Sequence, residues 1–503
     1  MDENMSKTLP DEILEIIFRS LAPYSDLRSC SLVCKQWNRV AKSTYRYGID
    51  KLYSGLRGSA LLQCTTQIHD IAPSRRSHVA TCVVGDYLYA FGGSFVDDYR
   101  DYRAAFNDLW KMNLSSRKWE RIIPTGQYPK PRFCANLVHH DGNLILYGGR
   151  MLHRSHSVLQ GGIVLLSVPI NEIHVFQMES CRWISDYRTL DIVPHISMYG
   201  VTEHKGMLVV TGGHIHSEAA IAENEHVWCY CIESGDWTKR DVEGPKPGPR
   251  RKHTQVKLDD DHLLLIGGVR IVRGTDNDGQ PQNDCWMLDM SQPDWKWILM
   301  TVDRPAENSL LCSNHRGCKV GDNLVFLHPK CSMNIGGHRC GIIRVQRRRN
   351  PGLDALHLPH ALEPHGIYRI PLEINNQNDR NVIRAQPDVN VNGRRGELCQ
   401  DRTHTVRGVQ PYPAVVRSYQ FEKKEYFAYS LDLEEAIVKH TVRWRKSLPF
   451  WGDERLPVLG FSVDYGAGEI IVTGGLPLPC FQSRCDVDNR ERSYFIAHKS
   501  VLS

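Results

Sequence analysis

A short apolar run that ends in Gly-Gly occurs five times, and it constrains the chain more than any other feature. The copies are YLYAFGG at Tyr87–Gly93, NLILYGG at Asn143–Gly149, MLVVTGG at Met207–Gly213, HLLLIGG at His262–Gly268 and EIIVTGG at Glu469–Gly475. Each run is rich in Leu, Ile, Val and Tyr, too short for a helix and apolar on both faces, so it predicts a strand buried on both sides. The second glycines of the first four copies are 56, 64 and 55 residues apart (93 to 149, 149 to 213, 213 to 268). Self-similarity at such a period signals radially repeated sheets, the blades of a propeller. The glycine pairs Gly92–Gly93, Gly148–Gly149, Gly212–Gly213, Gly267–Gly268 and Gly474–Gly475 then have a structural role. Near a narrow central channel the chain must turn beside other backbones, and glycine permits both positive φ and close approach.

The sequence around each pair repeats in a fixed order. A strand precedes the pair's own strand, as in RRSHVATCVVGDYLYAFGG from Arg75; a third strand follows, as in FNDLWKMNL; a fourth carries Trp119, Trp183, Trp237 or Trp297. Turn signals such as HHDGN and DDDH separate the first two strands. Buried between neighbouring blades, the tryptophans serve the core. A fifth repeat begins at Ser313, but His328-Pro329 stands where the glycines belong. Its later strands reappear at Glu425–Leu433 and His440–Lys446, beyond an Arg-, Asn-, Pro- and His-rich insertion at 332–418 that is expected to be disordered. The sixth repeat ends with RSYFIAH at Arg492–His498 and has no fourth strand of its own. Leu61–Ala72, although it lacks the tryptophan, is the candidate to supply it and close the ring.

The first fifty residues differ in kind. Leu9, Ile13, Leu14, Ile17, Phe18 and Leu21 recur at steps that form one helical stripe. Thr8 with Asp11 suggests a capping box, and Pro10 suits a first turn. A second helical patch runs from Leu27 to Val40. A unit this small needs a partner or a neighbouring domain to bury its apolar surface. Across the chain, 41% hydrophobic and 24% charged residues fit a globular protein, and a net charge of +5 is too mild to call for nucleic acid. No run reaches the roughly eighteen apolar residues of a membrane span, and the sixteen cysteines are scattered. An intracellular protein with reduced thiols, cytoplasmic and/or nuclear, is expected.

LPDEILEIIFRSL followed by LRSCSLVCKQWNRVA resembles an F-box, and the glycine repeats resemble kelch repeats. In that order, with AAFNDLWKMNL and GEIIVTGG as the sharpest local likenesses, the chain resembles animal F-box/kelch proteins. The implied fold is mainly β: a kelch-type propeller of six blades, the fifth degenerate and interrupted, preceded by a small all-α F-box. The implied layout is a tail at 1–5, F-box at 6–48, linker and closing strand at 49–72, propeller at 73–331, insertion at 332–418 and remaining propeller at 419–503. The resemblance implies a non-catalytic, substrate-recognition subunit of an SCF-type ubiquitin ligase. Its F-box would dock on a Skp-type adaptor, and through it on cullin and RING subunits, using Leu9, Pro10, Ile13, Leu14, Ile17, Leu32, Val33, Cys34 and Trp37. The alternative is a kelch scaffold in a non-ligase complex. No cofactor, metal or membrane partner is expected.

In a propeller, the loops after the glycine strands and the loops between blades share one face. Here the post-glycine loops are long, and recognition residues concentrate on long loops of a rigid scaffold. Tyr99, Arg100, Tyr102, Arg103, Arg150, Arg154, Arg270 and Arg273 are of the types that anchor interfaces, and are the candidates for a protein substrate. Other signals are weaker. Cys312, Cys318, Cys331, His338 and Cys340 have zinc-ligand chemistry but no compact spacing. His153/His156 and His214/His216 read as surface histidines, Cys229 and Cys231 as opposite faces of one strand, and Arg347–Arg349 as a solvated charge run.

Overall fold

The computed structural model describes residues 9–21, 23–57, 62–68, 71–98, 101–157, 162–186, 195–216, 221–270, 280–303, 317–330, 425–445, 448–450, 459–476 and 492–498. The insertion at 332–418 lies outside them. No helix among the described residues is long and apolar enough to cross a membrane.

Six sheets of four or more strands stand around a ring. Blade one runs outward from Ala80–Val84 through Tyr87–Phe91 and Leu109–Asn113 to Lys118–Ile122, all antiparallel. Blades two, three and four repeat it from inner strands Asn136–His140, Gly200–His204 and Thr254–Lys257. Blade five joins Gly317–Val320 and Asn323–Lys330 to the distant Glu425–Asp432 and Thr441–Trp444. Blade six is Leu459–Tyr465, Ile470–Leu476 and Arg492–His498, with Leu62–Ile68 as its outer strand in the register Leu62↔His498. Each inner strand contacts the inner strands of both neighbouring blades, so the ring is closed.

The glycine pairs sit where blade meets blade. Gly92 and Gly93 have φ of +66° and +95°, and the other four pairs are alike. A Cβ on Gly92 would lie 2.6 Å from the Arg132 carbonyl oxygen of the next blade, so no larger residue fits. The second glycine's amide then donates across the seam: Gly93 to Arg132 O at 2.9 Å, Gly213 to Arg250 O at 2.8 Å, Gly475 to Arg76 O at 2.9 Å. After the glycines, what the sequence suggested were loops are β-ribbons. Ser94–Asp98 pairs with Asp101–Ala105, Arg150–Ser157 with Gly162–Pro169, and His214–His216 with Ile221–Glu223. Blade five shows the consequence of losing the pair. Its second strand does not swing away at His328-Pro329 but stays in register to Lys330↔Glu425.

The seams hold the core, and the tryptophans fill them. Trp119 packs with Ile471 and Phe495 of blade six, Trp183 with Phe91 of blade one, Trp237 with Tyr147 of blade two and Trp297 with Val209 of blade three. Trp444 does the same between blades four and five, beside Leu264 and Met287. The outer strand of blade six has no tryptophan, and its seam is filled from elsewhere. Leu52 and Leu56, both fully buried, enter among Val320, Val325, Val463 and Val472. They belong to the N-terminal helical unit.

That unit consists of α1 (Asp11–Arg19), α2 (Ser25–Ser31) and α3 (Lys35–Leu56). The single patch expected over Leu27–Val40 is thus broken. Cys34 is extended at φ −160° and its Sγ accepts from the Trp37 amide, which starts α3 anew. Helix α3 also continues eight residues past the boundary expected at 48, to Leu56, because its last turns are core of the ring. Pro10 occupies the cap position of α1 rather than its first turn, and no side chain caps it.

Candidate functional site

Two surfaces stand out, on opposite faces of the ring. In every blade but the fifth the second strand runs from a tight turn at one face to the glycines at the other. Among the described residues the helical unit packs on the turn face, with its last turns in the seam between blades five and six. Arg28 pairs with Asp86 at 2.5 Å, the Ser25 and Ser115 hydroxyls lie 2.9 Å apart, and Tyr53 packs on Gly321. The ribbons rise from the glycine face.

On the helical unit, the apolar stripe of α1 divides in two. Leu14 and Phe18 turn inward and form a core with Leu27, Val40 and Ala41, and Trp37 packs edge-on against Phe18 at 5.2 Å. Leu14 therefore supports the surface from beneath, whereas Trp37 is only partly buried. Leu9, Ile13 and Ile17 are 48%, 44% and 42% exposed, and Leu32 and Val33 reach 80% and 61% because the break before α3 lifts them into solvent. Pro10 and Cys34 are also exposed. Ile16, at 63%, belongs to the same surface and was missed, because it falls off the helical stripe that defines the core. The start of α1 is fixed to α3. Gln36 donates to the Leu9 carbonyl at 2.9 Å and to Asp11 at 2.8 Å, and Arg39 pairs with Asp11 at 2.6 Å. The hydrogen bonds from Gln36 and Arg39 hold the Asp11 carboxyl below its ordinary range. An exposed apolar patch of this kind, held in a fixed shape, makes this the candidate protein-binding surface.

On the glycine face the residues chosen from sequence fare differently. Arg150 is a correction. It is 5% exposed, and its guanidinium donates to Ser167 Oγ at 2.8 Å and Ser167 O at 2.6 Å, across its own ribbon. It follows the glycine pair directly, so it still lies in the body of the blade, where its backbone bridges to Phe133. Tyr102, Arg103 and Arg154 lie on ribbon strands. Arg270 is exposed beside Gly248. Tyr99, Arg100 and Arg273 lie outside the described residues.

Beneath this face runs a buried device that the sequence reading missed. Arg76, Arg132 and Arg250, each at most 4% exposed, precede the inner strands of blades one, two and four. Each donates to the carbonyl of its own blade's first glycine, at 3.0, 3.2 and 3.1 Å. Each also pairs with a carboxylate at the head of the third strand: Asp108 at 2.5 Å, Glu172 at 2.6 Å, Asp284 at 2.6 Å. Trp110 and Trp286 donate their indole N–H to the same carboxylates, both at 2.7 Å. The hydrogen bond with His174, and then Arg132, hold Glu172 well below the usual carboxylate range. The signal was present in the sequence: the three arginines lie 16, 16 and 17 residues before the glycine they serve.

No group of three or more His, Cys, Asp or Glu side chains is placed to hold a metal ion among the described residues. Cys318 is core of a seam, while Cys312, Cys331, His338, Cys340 and Arg347–Arg349 lie outside the described residues. Cys229 is buried and Cys231 half-exposed; two residues apart on the strand Val227–Cys231, they share one face and do not point to opposite faces as expected.

Known proteins agree with this division. Residues 7–47 match the F-box-like family, and residues 75–297 match the family described as FBX42, beta-propeller domain. Kelch domain-containing protein 1 of Mus musculus is 25% identical over 284 residues, 51% of this chain and 64% of that protein. Kelch domain-containing protein 3 of Rattus norvegicus is 23% identical over 212 residues, 41% of this chain and 50% of that protein. The putative protein tag-53 of Caenorhabditis elegans is 27% identical over 198 residues, 37% of this chain and 13% of that protein. The chain thus spans less than two thirds of the length of these relatives. The chain is thus similar to F-box proteins over the helices below the ring and to the FBX42-type beta-propeller over the first four blades, in the order expected of an F-box/kelch protein.

Proposed function

We propose that the protein is the substrate-recognition subunit of an SCF-type ubiquitin ligase. Its F-box engages a Skp-type adaptor, and through it cullin and RING subunits, and its propeller holds a protein target for ubiquitination. The observation that carries this reading is the exposed apolar surface of Leu9, Ile13, Ile16, Ile17, Leu32 and Val33, on a unit whose other side is already spent on the ring. A helical surface of that composition suits a helical partner. The target would lie on the opposite face, among the ribbons. The chain supplies proximity rather than bond chemistry: it raises the local concentration of target lysines near a recruited conjugating enzyme. Co-purification tests the reading. The wild-type chain should recover adaptor and cullin, and Leu9→Ala with Pro10→Ala should lose most of both. A chain that recovers neither, or a double variant that recovers them undiminished, leaves the alternative of a kelch scaffold in a non-ligase complex.

A further inference from the structure

Blade six is built from both ends of the described chain, and the F-box holds it from both sides. On the side facing blade five, Leu52 and Leu56 of α3 occupy the seam that elsewhere receives a tryptophan. On the side facing blade one, Tyr24, 4% exposed, packs into the seam of Trp119, Ile471 and Phe495. Between these points the turn of blade six is pressed against the helices. A Cβ on Gly468 would lie 3.2 Å from the backbone of Gly48, and one on Gly466 would lie 2.1 Å from the Tyr24 hydroxyl.

At the centre is Glu469, 3% exposed. The Tyr24 hydroxyl of the F-box donates to its Oε1 at 2.5 Å. Arg117 of blade one donates to both its oxygens, at 2.6 and 2.7 Å. The Arg117 guanidinium also lies 3.7 Å over the ring of Phe495. One carboxylate therefore joins three bodies: the F-box, the first blade and the last. A buried carboxylate with such partners is costly to leave half-satisfied, so the three are held in one arrangement.

We infer that the F-box is latched to the ring through Glu469, so that the adaptor-binding helices and the target ribbons keep one fixed relative orientation. Tyr24 and Glu469 are then positioning residues for the ligase reaction, acting through geometry and touching neither partner. The functional consequence rests on the ligase reading; the latch itself does not.

The test therefore uses the full chain alone. Genetically encoded spin labels at the exposed Glu12 and Lys246 report the distance between the helices and the glycine face. The wild type should give a single narrow distance. Glu469→Gln and Tyr24→Phe, measured well below the melting temperature, should broaden it about twofold or more as the helices open locally. A residue that merely stabilised the fold would lower the melting temperature and leave that width unchanged. A broad wild-type distribution, or a narrow one in both variants, overturns the latch. Tyr24→Phe removes a single oxygen and keeps the test decisive if Glu469→Gln does not fold. Failure to capture an adaptor would sink the ligase reading and leave this result untouched.

Discussion

Blades one and three face the same buried carbonyl and satisfy it by different chemistry. In blade one, Arg76 donates to Gly92 O while Asp108 neutralises the guanidinium and accepts from Trp110. In blade three, the corresponding position is Ile196, 1% exposed, and Asn224 takes over. Its amide donates to Gly212 O at 2.9 Å and its carbonyl oxygen lies 3.3 Å from the Trp228 indole nitrogen. One neutral side chain replaces an ion pair. The comparison teaches that the invariant demand comes from the turn: a buried backbone carbonyl must be paired, and charge is only one means of doing it.

Three substitutions sharpen that contrast, in falling order of effect. Gly212→Val should be the most damaging, because φ is +59° and a Cβ would lie 2.6 Å from the Arg250 carbonyl oxygen. A loss of more than about 3 kcal/mol is expected from strain and clash together, read by denaturant unfolding; a near-native midpoint would show that the turn can relax. Arg76→Ala should cost about 3 kcal/mol, since it strands Asp108 and the Gly92 carbonyl together. Adding Asp108→Asn should recover part of that loss, and strictly additive losses would contradict a coupled pair. Asn224→Ala, with no charge involved, should cost about 1 kcal/mol.

Acid separates the two blades as well. Burial by itself raises the Asp108 carboxyl, but hydrogen bonding and charge from Arg76 outweigh it and bring the group below its usual value. Its folded pKa is thus depressed, so its contribution is present above the unfolded value near 3.8 and is lost as pH falls through the folded one. Asp108→Asn should flatten that final loss, whereas Asn224→Ala should leave its slope unchanged; melting temperatures between pH 5 and the acid limit measure both. The histidines act earlier. Burial lowers His204 to about 4 and His253 to about 3, so the unfolded chain takes up protons first and stability declines once pH falls below about 6.5.

The period of the glycine pairs and the seam tryptophans made the ring legible, because both report a demand of packing that only one or two residue types can meet. The two-way split of the helix Asp11–Arg19 was less so. A helical stripe does not say which of its residues the core will cover: Leu9, Ile13 and Ile17 lie on it and are exposed, and the exposed Ile16 falls outside it. Arg150 was misread because an arginine after a turn looks solvated until the loop it begins is known to be a ribbon whose return strand brings Ser167 onto its guanidinium. The arginine clamps were overlooked for the converse reason: each follows a proline-containing connection between blades, and a charged residue there gives no local sign of burial. The missing tryptophan of the closing strand was visible, but its replacement by Leu52 and Leu56 was not, since nothing local links a helix to a seam completed by strands hundreds of residues away.

The pairing of Leu62 with His498 also sets an order of events during synthesis. The outer strand of the last blade leaves the ribosome before the other strands of the ring, and its partner follows more than four hundred residues later. At roughly 5–20 residues per second the strand waits about twenty seconds or longer with its hydrogen-bonding edge uncovered. Leu52 and Leu56 wait with it, since the seam they fill is made of blades five and six. A nascent chain of this protein therefore carries an open edge and an apolar helix end while the rest of the ring is made, and needs them shielded until Arg492–His498 emerges.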